Sequence, residues 1–470
     1  MEKYLRSYAE PETTALDLLV KDLPDRQRWQ NVVVIPACNE SSGFLRCSPP
    51  GDGRVLMILV INESEFVTPQ LSLTNRALAS EVDERFSLLW QSAQQFSGFE
   101  LSLFSDPRAP RDILLVDRFS AGRQLPAKGG VGQARKIGVD LAIGLIWRRQ
   151  IDTGWIHCTD ADVRLPGTYF TCSNTVKNAD SGAAALLYPF RHDADPDKAK
   201  NRQIVLATML YELSLRYYVA GMKFSESPYA FHTIGSTIAI SADHYTKVRG
   251  FPRRAAGEDF YLLNKLAKVG PVIELITNQD CQPIEIEARL SDRVPFGTGA
   301  AVNKIIALAD PLRDFRFYHP AVFQLLRLWL QSLPDIWHSQ SSDFTKNGFI
   351  DASPEYQQTA GTDQDKDQHD GRYWLLAGLR EAGTQKALEH AFRQSKDQHQ
   401  FERQMHTWFD AFRTLKLIHF LRDKYLPSIS YTRLEMHRTF EHLLKEDADL
   451  AEFHKKLLRE LSLVQAGLDH

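Results

Sequence analysis

Asn31-Val32-Val33-Val34-Ile35-Pro36-Ala37-Cys38-Asn39-Glu40 is the stretch whose reading decides the fold. A β-branched run with no polar residue from Val32 to Ile35 suits a strand buried on both faces of a parallel sheet, where polar alternation disappears. The proline is expected to end the run. It leaves short polar residues at the carboxyl edge of the sheet, where open α/β sheets bind their ligands. Asn39 and Glu40 equally suit the cap and first turn of a helix, so the stretch alone leaves both readings open.

Working outward, four further apolar runs look like it: Arg54–Ile61, Asp112–Val116, Gly154–Cys158 and Ala183–Tyr188. Between them, Asn75–Trp90, Gly132–Trp147 and Asp197–Val219 carry apolar residues at three- and four-residue spacing, the mark of amphipathic helices. Strands alternating with helices predict βαβ units and a doubly wound, mostly parallel sheet. From Ala301 to His470 the pattern turns helical, over Phe323–Leu333, Tyr373–Ala382, Gln385–Phe392, Phe401–Tyr425 and Leu434–Leu463, with polar Thr359–Arg372 read as a solvated loop. The expected organisation is a helical extension at 1–30, an α/β domain at 31–300 and a C-terminal all-helical region at 301–470.

The 470 residues carry 56 Lys+Arg against 59 Asp+Glu, a formal net charge of -3, which argues against binding a polyanion through bulk charge. No apolar run reaches the ~18 residues of a membrane-spanning helix, and the N-terminus lacks the apolar core of a secretory signal. The five cysteines are scattered and odd in number, which suits buried thiols in a cytoplasmic protein better than a disulfide framework.

Four more stretches hold chemistry-bearing residues. In Lys128-Gly129-Gly130-Val131-Gly132-Gln133-Ala134-Arg135, glycines open a helix whose amides would face an anion, with Lys128 and Arg135 supplying charge. It matches neither the P-loop nor the dinucleotide fingerprint, and a flexible loop before an amphipathic helix explains it as well. Asp160-Ala161-Asp162 follows an apolar strand and places two carboxylates where a hard divalent cation would bridge to phosphates. Asp193/Asp195 and Asp447/Asp449 repeat the tripeptide in polar surroundings, so only the strand context singles out the first copy. Gly257-Glu258-Asp259 delivers an acidic pair to a helix start, as dipole complement or as general base. Arg289–Gly299 reads as an arginine-bearing turn, a mobile lid or a plain linker.

Taken in order, Ile35-Pro36-Ala37-Cys38-Asn39-Glu40, GVGQARKIG at Gly130–Gly138, Asp160-Ala161-Asp162 and Arg249-Gly250-Phe251 with Glu258-Asp259 resemble the motifs of GT-A nucleotide-sugar glycosyltransferases, family 2-like members in particular. The match spans roughly residues 31–270. The resemblance implies a GT-A type doubly wound sheet and a metal-dependent transfer of a sugar, of hexosyltransferase type, from a nucleotide-diphosphate sugar to an acceptor hydroxyl. It implies that Pro36, Ala37, Asn39, Glu40 and Asn62 hold the nucleoside. Lys128 and Arg135 would contact nucleotide or phosphate. Asp160 and Asp162 would bind ribose, diphosphate and Mn²⁺ or Mg²⁺, and Asp259, beside Glu258, would be the base of an inverting reaction.

The chain departs from the family pattern in three places. Asn62-Glu63-Ser64 stands where the family often has an acidic pair, Lys136 replaces the asparagine after Ala-Arg, and the interval Glu65–Gly130 is long. Gln324-Leu325-Leu326-Arg327-Leu328-Trp329 has one residue too many for the QxxRW of processive synthases, so a soluble, non-processive enzyme without nucleic-acid or membrane partners is expected. The helical region would serve acceptor or homo-oligomer contacts. The alternatives are a non-catalytic nucleotide-sugar-binding module and a sugar-phosphate nucleotidyltransferase; the latter wants a Gly-rich basic loop directly after the first strand, which Pro36–Glu40 is not.

Overall fold

The computed structural model describes residues 1–23, 28–46, 53–65, 69–92, 96, 98–174, 176, 182–193, 202–288, 298–342 and 364–468. Two compact units divide the chain: Met1–Val205 with Thr233–Ala301, and Leu206–His232 with Val302–His470. By this division residues 1–30 belong to the first unit and 206–232 to the second, and the region expected to be all-helical also holds two short strands, Arg316–Phe317 and Ile429–Ser430, paired antiparallel.

The first unit holds strands β1 (Asn31–Ala37), β2 (Val55–Asn62), β3 (Ser87–Gln91), β4 (Glu100–Ser105), β5 (Arg111–Arg118), β6 (Trp155–Cys158), β7 (Val163–Arg164), β8 (Ala185–Leu187), β9 (Phe190–Asp193), β10 (Ile238–Ser241), β11 (Val272–Glu274) and β12 (Ile284–Glu287). Nine form one sheet in the order β11-β8-β10-β6-β1-β2-β5-β4-β3, and β7-β12-β9 form a second. In the large sheet β10 and β4 run against the other seven, so its centre, β6-β1-β2-β5, is wholly parallel. Val32–Ile35 are 0–3% exposed, as a strand covered on both faces demands, each such side chain contributing ~1.5–3 kcal/mol by burial.

β1 does not stop at Pro36: it continues to Ala37, with Pro36 opposite Val60 and Ala37 opposite Ile61 of β2. Val34 accepts from Thr159 N–H on the β6 side, and Pro36, two residues on, faces that same side beyond the last paired residue of β6. Its missing N–H therefore costs no ladder bond.

Helix Gly130–Trp147 packs on β1 and β2, almost wholly buried; at Gly138 a Cβ would overlap Val34 Cγ1, so the glycine permits that close seat. The amino edge of the sheet is pinned by Asp112, 0% exposed, whose Oδ2 accepts from Trp29 Nε1 and Arg54 Nε, both at 2.7 Å.

Several expectations need correction. The helix read over Asn75–Trp90 is Pro69–Arg85, and Ser87–Gln91 is edge strand β3 paired to β4. Leu88-Leu89-Trp90 is too short an apolar run to declare a period. Cys172 and Cys281 form a disulfide across a separation of 109 residues, while Cys158 is a buried free thiol. The cysteine arithmetic missed the pair because only the fold brings the helix Tyr169–Asn174 beside the chain entering β12. Of Asp197–Val219 the described part begins the helix Arg202–Phe224, and residues 194–201 lie outside the described ones.

In the second unit Asp410 splits the expected Phe401–Tyr425 helix into Gln398–Trp408 and Ala411–Lys424, its Oδ1 accepting from Arg413 N–H at 3.1 Å as an N-cap. Leu434–Leu463 likewise resolves into Tyr431–Glu435, Arg438–Glu446 and Ala448–Leu468. Of the expected loop Thr359–Arg372, residues 359–363 lie outside the described residues and the remainder is helical, within Gln364–Glu381. Residues 206–232 join this unit through Gly221, where a Cβ would sit 2.6 Å from the Phe323 ring, and through Tyr217 OH donating to Tyr318 O at 2.9 Å. Among the described residues no helix is long and apolar enough to cross a membrane.

Candidate functional site

The carboxyl ends of β1 and β6 lie side by side because the two strands are parallel neighbours. β6 ends at Cys158, which puts Asp160 and Asp162 just past the sheet. β10 runs antiparallel to β6 with Ile238 opposite Cys158, so the residues before Ile238 pass beside those after Cys158. That register sets Gly235 against the acidic segment.

Arg135, on helix Gly130–Trp147, is 3% exposed and reaches into this edge. Its Nη2 donates to Asp160 Oδ1, and its Nε lies 3.4 Å from Glu258 Oε1. A Cβ on Gly235 would overlap Arg135 Nη1, so only glycine leaves space for the guanidinium, while the Gly235 amide donates to the Asp259 carboxylate. Arg135 Nε and Nη1 are buried with no hydrogen-bond partner, so the cation is held chiefly by charge. A buried cation needs such counter-charge. Burial works against the Arg135 charge, but Asp160 and Glu258 outweigh it and the pKa is raised.

The acids respond in kind. Burial raises the Asp160 pKa, with Asp162 and Glu40 adding and Arg135 opposing. Burial, with the neighbouring Asp259 charge, pushes Glu258 up to about 7 against the pull of Arg135, and burial likewise raises Asp259. Gly257, at φ 73, turns the chain into helix Glu258–Leu266 and so sets this pair on its first turn; Asp259 Oδ1 accepts from Phe260 N–H at 2.7 Å. Arg135 thus stands among Asp160, Glu258 and Asp259, and the charges of Asp162 and Glu40 act on Asp160 in turn.

The other expected residues are placed less uniformly. Pro36 and Ala37 are buried inside β1, and Ala37 packs in the apolar core. Asn39 takes φ 56, and its N–H donates to Asn75 Oδ1 at 3.0 Å; Asn75 Nδ2 donates to Asn62 O and Glu63 Oε2 at 3.2 and 3.3 Å. Asn75, 0% exposed, therefore latches the ends of β1 and β2 together.

The glycines of 129–132 serve packing: Gly132 N–H donates to Arg254 O at 3.0 Å, and Cβ atoms at Gly130 and Gly132 would lie 2.6 Å from Ala255 Cα and Arg254 O. The Gly132 amide is thus engaged by backbone rather than offered to an anion. Lys128 is exposed in the turn before the helix. Lys136 points away from the acids, donating to Asp140 Oδ2 at 2.6 Å. Residues 289–297, most of the expected lid, lie outside the described residues, and Thr298–Ile306 is helical.

Sequence reading missed Gly235 and Asn75. Neither has a local signature: Gly235 matters for the space it leaves to a residue of another element, and Asn75 for reaching two strand ends at once.

No family model matches the sequence, and no curated protein does. Among solved structures, the mannosyltransferase PcManGT from Pyrobaculum calidifontis, in complex with GDP-Man and Mn²⁺, aligns over 88% of this chain and 94% of its own, at 15% identity and a TM-score of 0.32. Agreement that loose leaves the chemistry of this chain to be argued from its own residues.

Proposed function

We propose that the chain transfers a sugar from a nucleotide-diphosphate donor to an acceptor hydroxyl, with inversion, at the carboxyl edge of β1 and β6. One observation supports this above the rest: Asp160 and the pair Glu258-Asp259, about a hundred residues on, converge around the buried guanidinium of Arg135.

In this reading Asn39, Glu40 and Asn62 line the nucleoside side, and Asp160 and Asp162 face the diphosphate. Among the described residues no three His, Cys, Asp or Glu side chains form a ready-made metal cage. The carboxylate oxygens of Asp160 and Asp162 are nevertheless the hard donors that Mn²⁺ and Mg²⁺ take, a set that donor phosphates and water complete. When bound, such an ion supplies counter-charge for the departing nucleoside diphosphate. Asp259, held by the Gly235 amide and its own helix turn, takes the proton of the acceptor hydroxyl. Arg135 holds Asp160 and Glu258 so that the two ends of the site keep a fixed separation.

Calorimetry with UDP- and GDP-sugars, with and without Mn²⁺, tests the reading. Asp162→Ala is expected to remove the metal-dependent part of donor affinity with the circular dichroism unchanged. Asp259→Asn is expected to keep donor affinity and lower turnover ~10²–10⁴-fold. Donor binding without any transfer would instead favour a binding module, and metal-independent binding in wild type would discard the role of Asp160 and Asp162.

A further inference from the structure

The acidic pair Glu258-Asp259 follows Val248–Gly257, a segment with neither helix nor strand. Part of what holds it comes from the other end of the sequence. Arg249 stacks over the Tyr8 ring at 4.8 Å; a Cβ on Gly250 would lie 2.5 Å from Tyr4 OH; Arg253 Nε donates to Glu10 Oε1 at 2.7 Å. Tyr4 and Glu10 are 3% and 2% exposed, so the N-terminal partners are buried, while Arg253 reaches Glu10 from the surface.

The N-terminal residues are themselves moored to helix Gly130–Trp147. Asp140 accepts from Tyr4 OH at 2.6 Å and from Glu10 N–H at 2.8 Å, and Lys136 Nζ donates to Tyr8 O at 2.9 Å. A continuous path therefore runs from the helix that carries Arg135, through residues 4–10, to the turn that carries the acids. We propose that Glu10 is a positioning residue, which through Arg253 fixes where the acidic pair stands relative to Arg135. The proposal rests on the reading of Glu258 and Asp259 given above.

The same turn also has a hold independent of the N-terminus, from Gly132 N–H to Arg254 O. The experiment separates the two. In hydrogen–deuterium exchange on the full chain, Glu10→Gln and Arg253→Ala are each expected to speed exchange in peptides covering 248–261 about fivefold, and the double variant no more than either single one. Peptides of 130–147 should keep wild-type rates. Arg253 is largely exposed, so its replacement leaves the buried core untouched even if Glu10→Gln folds poorly. If exchange at 248–261 is unchanged in both variants, or rises equally in 130–147, the proposal falls. In a transfer assay both variants should lower kcat with donor KM unmoved; a rise in KM alone would contradict positioning of the acids. Exchange is read without catalysis, so it tests the role of Glu10 even in a chain that shows no transfer.

Discussion

Gly235 carries a burden that no side chain could share. Its amide serves Asp259 while its open side admits Arg135, and a methyl group would displace the guanidinium from Asp160 and Glu258. Gly235→Ala is therefore expected to lower turnover about 10²-fold, the usual consequence of an ångström-scale shift in catalytic groups, and to cost about 1–3 kcal/mol of stability from overpacking. Steady-state kinetics and urea unfolding read the two effects; wild-type kinetics in this variant would show that Arg135 does not set the site. The acids were legible in sequence because each follows an apolar run or a glycine turn. Gly235 and Asn75 were not, because what each must satisfy lies on another element.

At the scale of elements, the parallel centre β6-β1-β2-β5 follows from four apolar runs whose composition leaves no polar face. β3 and β4 escaped because short strands at an edge carry mixed composition and no period. The seat of helix Gly130–Trp147 on β1 and β2 depends on Gly138. In an ordinary helix interior alanine is preferred to glycine by ~0.5–1 kcal/mol. Here its Cβ would overlap Cγ1 of the buried, β-branched Val34, which cannot swing aside, and overpacking costs ~1–3 kcal/mol. The second effect wins, so Gly138→Ala is expected to destabilise by about 1 kcal/mol, measured as a lower urea midpoint at unchanged slope. A higher midpoint would show that the helix can move off the sheet.

Over the whole first unit, the N-terminal segment adds a pH dependence. Glu12 is 1% exposed, its two carboxylate oxygens make no hydrogen bond, and its partner is Arg118 Nε at 3.5 Å. Burial raises its pKa from 4.5 to about 7; Arg118 opposes the rise, while Glu10 and Asp140 add to it. A raised folded-state pKa means the folded chain holds a proton the unfolded chain has lost. The stabilising effect is full below pH 4.5 and is lost as pH rises through about 7, on the order of 3 kcal/mol at ~1.36 kcal/mol per unit. Glu12→Gln removes that loss. The stability difference between variant and wild type should therefore grow in the variant's favour from pH 4.5 to about 8, whatever constant offset Arg118 contributes. A difference that stays flat across that range, followed by denaturant melts, would refute the assignment.

By itself the sequence determined the layer architecture, the strand that carries the acidic tripeptide, the position of the second acidic pair and the change to helices near residue 300. These are local facts: apolar runs, glycine turns and periodicity act over a few residues and survive without knowledge of their neighbours. Tertiary structure alone decided that Arg135 is buried between Asp160 and Glu258, that Cys172 meets Cys281, and that Tyr4, Glu10 and Glu12 are buried in the first unit. It also decided that the glycines before helix Gly130–Trp147 face backbone. Each of these is a pairing between distant segments, and the free energy of a buried charge or a close approach depends on what stands opposite, which no local pattern encodes.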